Sequence, residues 1–394
     1  MNGRDLPMDV DDIRQFSAEL LSMLIQASAS LTTIQGIEVG FFDWIPLNKA
    51  ITAGELSRQM GYDISRVERW LRFALAVGFV MKSDSGYTLT LKGSLLRRGT
   101  PAPDLLGLYH MVSYFTKAVP YSKDAYQKGA GLDSITQLKI SRDYIPRVAS
   151  QLSRASAECF KWAGLTTGHT ILDLGCGEGS VLRETIKACP GVSATGIDLN
   201  LQTLDLGKRK NAEVGLQDQI ELRVGDVTNL SGIKDGSFDW VSSFNVLPYL
   251  PINKRDAFLR EMIRISRYGV FFNQVIANNI ATLSVDVLLS TLFTDFSGFF
   301  TEAEADEFLQ RVKIKHYAFM PIIQQESRMV IMFTSKNDVP LNRIPGLSDA
   351  DREKLGKEKV NTAKDLLLKD PAALGKLGID VQTLRASAIK LLFP

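Results

Sequence analysis

Cysteine, histidine and any bias of charge are scarce in this chain. Its three cysteines, Cys159, Cys176 and Cys189, form no CxxC pair, and an odd number speaks against a disulfide framework. A reducing, cytoplasmic setting is therefore expected. The formal net charge is +2 over 394 residues, which gives no bulk drive toward nucleic acid or a membrane surface. The start, MNGRDLPMDVDDIR, is acidic where a secretion signal would be basic. No apolar run is expected to approach membrane-spanning length. With only His110, His169 and His316 available, histidine chemistry has few places to sit.

What is present is the composition of a globular enzyme, 45% hydrophobic and 23% charged. The length calls for two or three domains. Residues 1–100 read as helices ending in a hairpin. TAGELSRQM carries Thr52 and Glu55 at capping-box spacing. ISRVERWLRFALAVG puts Ile64, Val67, Leu71, Ala74 and Leu75 on one helical stripe, and FVMKSDSGYTLT alternates around an SDSG turn. Together these predict a winged helix-turn-helix. Trp70, Leu71 and Phe73 on its recognition helix favour packing or dimerisation over DNA reading.

Residues 101–150 form an aromatic-rich bridge, LLGLYHMVSYFTKAVPYSKDAY, suited to interdomain packing or to roofing a substrate pocket. Residues 151–335 alternate strand and helix, from ILDLG through VSATGIDL, IELRVGD, SFDWVSSFNV and GVFFNQVIA to KIKHYAFMPI and SRMVIMFTS. The alternation implies a parallel sheet covered on both faces, and the short QQE link predicts an antiparallel last pair. The fold class is thus α/β: a Rossmann-like seven-stranded domain, an N-terminal helical winged-helix domain and a small C-terminal all-α module. That module, residues 340–394, follows the polar stretch SKNDVP and has its own capping signals at Ser348, Pro371 and Asp380. It resembles helix-hairpin-helix modules. Its charge is only mildly positive, which favours a protein contact or a structural role over nucleic acid.

The chemistry concentrates in ILDLGCGEG, residues 171–179. Asp173 ends a strand, and Gly175, Gly177 and Gly179 let backbone approach a ligand closely. The spacing is tighter than the GxGxxG of a dinucleotide site, and Asp173 puts a carboxylate where a phosphate would come. A ligand bearing an amine fits better. Asp198 ends the next strand, with Leu199 after it, and suits a grip on ribose hydroxyls. Asp226 and Val227 follow the third strand, where a carboxylate can accept from an exocyclic amine and the valine can meet the ring. Those three needs describe S-adenosylmethionine.

The constellation resembles the class I S-adenosylmethionine-dependent methyltransferases, and the winged helix narrows the likeness to small-molecule O-methyltransferases. The resemblance implies that Asp173, Gly175 and Gly177 hold the methionine part, Asp198 the ribose, and Asp226 with Val227 the adenine. It also implies that Phe244 and Asn245 lie beside the cofactor, that the protein is a homodimer, and that His110 and Tyr114 roof the acceptor pocket. The acceptor would be a small molecule or a peptide, and the C-terminal module could meet a protein partner.

One position departs from the family. Where a histidine base is usual, the chain reads NVLPYLP, with Pro248 in its place and Tyr249 next. Proline takes no proton, so a phenol acceptor needs another base, and a carboxylate, peptide or carbon nucleophile comes into view. His110 and Tyr249 are the catalytic candidates. His169 is expected in a surface loop, and His316 in the sixth strand. Asn273, Gln274 and Asn278 could hydrogen-bond an acceptor. Metal-binding acids are not clustered near the fourth and fifth strands, so no metal is expected. A regulator using a methyltransferase-like domain as a sensor is the rival of another class.

Overall fold

The computed structural model describes residues 10–98, 109, 112–113, 115–117, 119–129, 131–132, 145–275, 280–300, 302–311, 313, 317–323, 327–333, 338–369 and 371–393. They fall into two compact units, 1–120 with 138–148, and 121–137 with 149–394.

In the first unit, Thr52 opens the helix Ala53–Met60 with a full capping box, its amide donating to the Glu55 carboxylate at 2.8 Å. Asp63 caps Ile64–Ala76 by accepting from the Arg66 amide at 3.0 Å. The buried stripe of that helix is Val67, Trp70, Leu71 and Ala74. Ile64 and Leu75, expected on it, are 41% and 40% exposed. Trp70 takes over instead, its ring 4.4 Å from Phe41 and its indole N–H donating to the Thr32 carbonyl. Strands β1 (Val80–Ser83) and β2 (Gly86–Leu89) form the expected hairpin around Asp84 and Ser85.

The first helix, Val10–Glu38, corrects one expectation. By length and composition alone, its stretch Asp11–Glu38 could cross a membrane. Serines, glutamines and acids interrupt its apolar residues, so no unbroken run announces it. Only its last turns are buried, through Thr33, Ile34 and Ile37.

The second unit holds seven described strands in the order β5-β4-β3-β6-β7-β9-β8. These are β3 (Thr170–Leu174), β4 (Ser193–Asp198), β5 (Ile220–Val224), β6 (Phe238–Ser243), β7 (Ser266–Val275), β8 (Tyr317–Ile323) and β9 (Ser327–Phe333). β3 to β7 pair in parallel, and β9 runs antiparallel to both β7 and β8. Side chains alternate across such a sheet. Ile171, Trp240 and Phe271 accordingly enter one core with Phe160 and Leu182, while Leu172, Val241, Val270 and Phe272 enter the other with Leu259 and Met262. The strand order reverses between β3 and β6, which opens a crevice at their carboxyl ends.

The tail, expected as a module from residue 340, shares a core with the sheet. Ser348, Thr362 and Asp380 do cap helices there, Asp349–Lys357, Ala363–Leu368 and Val381–Leu392. Their buried residues Leu355, Leu366, Leu367, Leu384, Ala388 and Leu392 belong to the cluster that contains Trp240 and Phe271. Phe393 lies 5.2 Å from Trp240, 4.9 Å from Tyr268 and 5.8 Å from Phe333. Arg385 is buried over the Trp162 ring and donates to the Leu366 and Leu367 carbonyls at 2.9 and 3.2 Å. These contacts gather at the start of β3, β6 and β7, opposite the crevice. Phe393→Ala should therefore destabilise the second unit by about 3 kcal/mol. A shift of under 0.5 kcal/mol in urea denaturation would show the tail to be a loose appendage.

Candidate active site

The turn after β3 folds back through left-handed backbone at Gly175, Gly177 and Gly179, with φ of 73°, 54° and 74°. A side chain there is strained, and a Cβ at Gly175 would also stand 2.2 Å from Val246. The amides of Gly175 and Cys176 donate to the Ile197 carbonyl at 2.8 and 3.1 Å, tying the turn to β4. Glu178, the second acid of the loop, is held by Arg183 at 3.2 Å and by Lys210. It braces the turn.

Asp173 is 1% exposed, and its Oδ1 accepts from the Ser242 hydroxyl at 2.7 Å across the β3–β6 pair. No cation pairs with it among the described residues. Burial pushes its carboxyl up to about 7; the Ser242 hydrogen bond opposes the rise, and the charge of nearby Asp198 adds to it. Asp198 closes β4 and accepts from the Gly177 amide at 2.8 Å and the Asn200 amide at 2.9 Å.

A cavity of about 650 Å³ opens at this crevice, lined by Gly175, Asp198, Leu199, Val227, Phe244, Asn245 and Tyr249 among the residues singled out from sequence. Asn245 reaches it through left-handed backbone, φ 56°, a conformation that asparagine tolerates better than most. Asp173 lies buried at the base of the crevice and Gly177 engages Asp198, without either lining the cavity. Asp226 is exposed and also off the lining; the Thr228 amide donates to it at 2.8 Å and holds its carboxyl below the usual range. His110, Tyr114, Asn278 and His316 lie outside the described residues. Asn273 and Gln274 fall on β7.

His169 is not on the surface. It is 8% exposed and accepts from the Trp240 indole at 3.1 Å, so it serves the core under Phe393. The cavity also has walls that sequence reading missed: Val246, Leu250 and Pro251, and the segment Phe293–Ser297. The run FTDFSGFF was the available signal, four aromatics around an acid directly after an apolar helix. Tyr249 packs edge-on to Phe293 and Phe296 at 5.2 and 5.6 Å, and burial pushes its phenol up to about 12.

Residues 171–269 match a family described as a methyltransferase domain. The chain carries a methyltransferase domain. The chain is 26% identical over 125 residues to the methyltransferase GfsG of Streptomyces halstedii, covering 32% of this chain and 44% of that one. It is 34% identical over 84 residues to the ubiquinone biosynthesis O-methyltransferase of Xanthomonas euvesicatoria, covering 21% of this chain and 34% of the relative. The chain thus spans less than half the length of these relatives. Solved structures match far more of it. Human N-acetylserotonin methyltransferase, in complex with SAM, superposes with a TM-score of 0.64 at 14% identity, over 85% of this chain and all of that one. Mitomycin 7-O-methyltransferase MmcR gives 0.62 at 19%, over 82% and 99%. A fold shared with these two structures thus covers 82–85% of the chain.

Asp173 makes the methyltransferase domain sensitive to pH. Its carboxyl ionises near 3.8 in an ordinary setting and at about 7 in the fold. The folded chain therefore holds an extra proton between those values, and stability should fall as pH rises from about 4 to 7 and then level off. The full span corresponds to roughly 4 kcal/mol. Asp173→Asn should flatten this segment in urea titrations; an unchanged slope would mean that another group sets it.

Proposed function

We propose that the protein transfers a methyl group from S-adenosylmethionine to a hydroxyl group of a small molecule. The observation that carries this reading is the convergence of Asp173 and Asp198, from adjacent strand ends, on a cavity that no basic side chain lines among the described residues. Asp173 is a buried acid without a cationic partner, which suits the ammonium group of the cofactor's methionine part. A diphosphate would find two carboxylates and no cation. The residues present therefore fit S-adenosylmethionine.

When bound, that cofactor supplies a methyl group made electrophilic by a sulfonium. The chain's own residues position it. Asp173, Gly175 and Gly177 would hold the methionine part, Asp198 and Leu199 the ribose, and Val227 with Asp226 the adenine, while Phe244 and Asn245 flank it. Methyl transfer is an in-line displacement, so orienting the partners within van der Waals reach is the main demand. Tyr249, Phe293 and Phe296 offer an aromatic wall for the acceptor, and His110, Tyr114 and Asn278 remain acceptor-contact candidates from the sequence alone. The named activities of the ubiquinone, mitomycin and N-acetylserotonin relatives support a small-molecule acceptor. Carboxylates on the lining oppose an anionic acceptor, which weakens the carboxylate alternative.

The same reading takes residues 1–100 as a dimerisation domain, 101–150 as the bridge and 151–335 as the cofactor-binding domain, in a cytoplasmic homodimer. Phe16, Leu20, Leu21, Met23, Leu24 and Ile25 stand 50–66% exposed, a face that a second copy would cover.

Calorimetry tests the proposal. S-adenosylmethionine and its demethylated product should both bind, and Asp198→Ala should weaken each by roughly 100-fold, the loss of charge-assisted hydrogen bonds. At pH 6 binding should release close to one proton from Asp173, read by repeating the titration in buffers of different ionisation enthalpy. Absence of binding for both compounds would sink the proposal.

A further inference from the structure

We infer that Asp295 is the general base of the methyl transfer, taking the role of the histidine that Pro248 replaces. The inference rests on the methyltransferase reading above and on where the segment 293–297 is anchored.

Among the described residues, three side chains on the cavity lining can in principle accept a proton: Asp198, Tyr249 and Asp295. Asp198 has both oxygens engaged by backbone amides. Tyr249 is a phenol that burial keeps protonated. Asp295 is exposed to the cavity, and its carboxylate has no hydrogen bond or ion pair among the described residues. Among the described residues it is the lining carboxylate with free lone pairs.

Its position is built rather than incidental. Two residues on, the Ser297 amide donates to the Pro248 carbonyl at 2.7 Å, and the Ser297 hydroxyl reaches the Leu250 carbonyl at 2.6 Å. Arg255, itself buried, donates to the Ser297 hydroxyl at 2.8 Å and the Gly298 carbonyl at 3.0 Å. Asp286 accepts from the Phe299 amide at 2.7 Å. The position that lacks the side-chain base thus anchors, through its backbone, the segment that brings a carboxylate. Phe293 and Phe296 bracket Asp295 in sequence and set it beside the aromatic wall.

The step balances without a further reactant. The acceptor hydroxyl gives its proton to Asp295 as its oxygen forms the bond to the methyl carbon. The carbon–sulfur bond breaks with its electron pair going to sulfur, and Asp295 later releases the proton to solvent. Such general-base help is worth about 10²- to 10⁴-fold, and it matters most for acceptors that are protonated at the working pH.

The test uses the full chain and two phenols: 4-methoxyphenol, protonated at pH 8, and 4-nitrophenol, ionised there. Asp295→Asn should bind S-adenosylmethionine within about threefold of the wild type while methylation of 4-methoxyphenol falls by about 100-fold or more. Methylation of 4-nitrophenol should fall less than about 10-fold, and Asp295→Glu should recover part of the loss. A second readout needs no cofactor. The Asp295 carboxylate should displace the ionisation of bound 4-nitrophenol upward in pH, as seen in its visible absorbance, and Asp295→Asn should abolish that displacement. Equal losses for both phenols, an unperturbed ionisation, or failure of either phenol to bind while the cofactor does would overturn the assignment. A wild-type chain that binds no cofactor would overturn the reading beneath it.

Discussion

A carboxylic acid closed inside a parallel sheet is the constraint around which the second unit is arranged. Asp173 has water on no side, and its polar support is the Ser242 hydroxyl from the neighbouring strand. Burying an acid this way is unfavourable unless it stays protonated or meets a cation. The strand order supplies the setting. β3 and β6 part company at their carboxyl ends, so the acid lies just beneath the place where the sheet opens. The glycine turn then has to leave the strand sharply, and it does so by pinning two amides on β4, which in turn fixes Asp198. One buried group, one turn and one second acid follow from each other.

Much of this was legible in the sequence because it is local. A strand that ends in an acid and then a glycine turn leaves its mark within nine residues, and so does a capping box such as Thr52 and Glu55. The parallel order of β3 to β7 and the antiparallel last pair followed from which connections contain helices. The long first helix was missed as a span of membrane-crossing length because its apolar residues are scattered among polar ones, a feature of composition rather than of run length.

What escaped is non-local. Leucines at helical spacing in the tail announced a buried face without saying which surface buries it, and that surface proved to be the sheet. His169 looked like a surface residue because its loop neighbours are threonine and glycine; Trp240, seventy-one residues away, draws it inside. The segment 293–297 reaches the cavity through hydrogen bonds to Pro248 and Leu250, more than forty residues earlier. No periodicity encodes such a tie. Each of these misses involves a side chain whose partner is set by topology, whereas the successes rest on neighbours within one element or on the connection between consecutive ones.

The tail has a consequence for how the second unit forms. Its core runs from Cys159 to Phe393, and Trp240 belongs to it. Most of the sheet can be synthesised and paired while this apolar patch at the foot of β6 and β7 still lacks its cover. Contacts between residues so far apart in sequence raise contact order and slow closure. During that interval the patch is open to other chains. Trp240 and its cover Phe393 are thus separated here by more than one hundred and fifty residues. β6 and β7 are covered there only once Val381–Leu392 is in place.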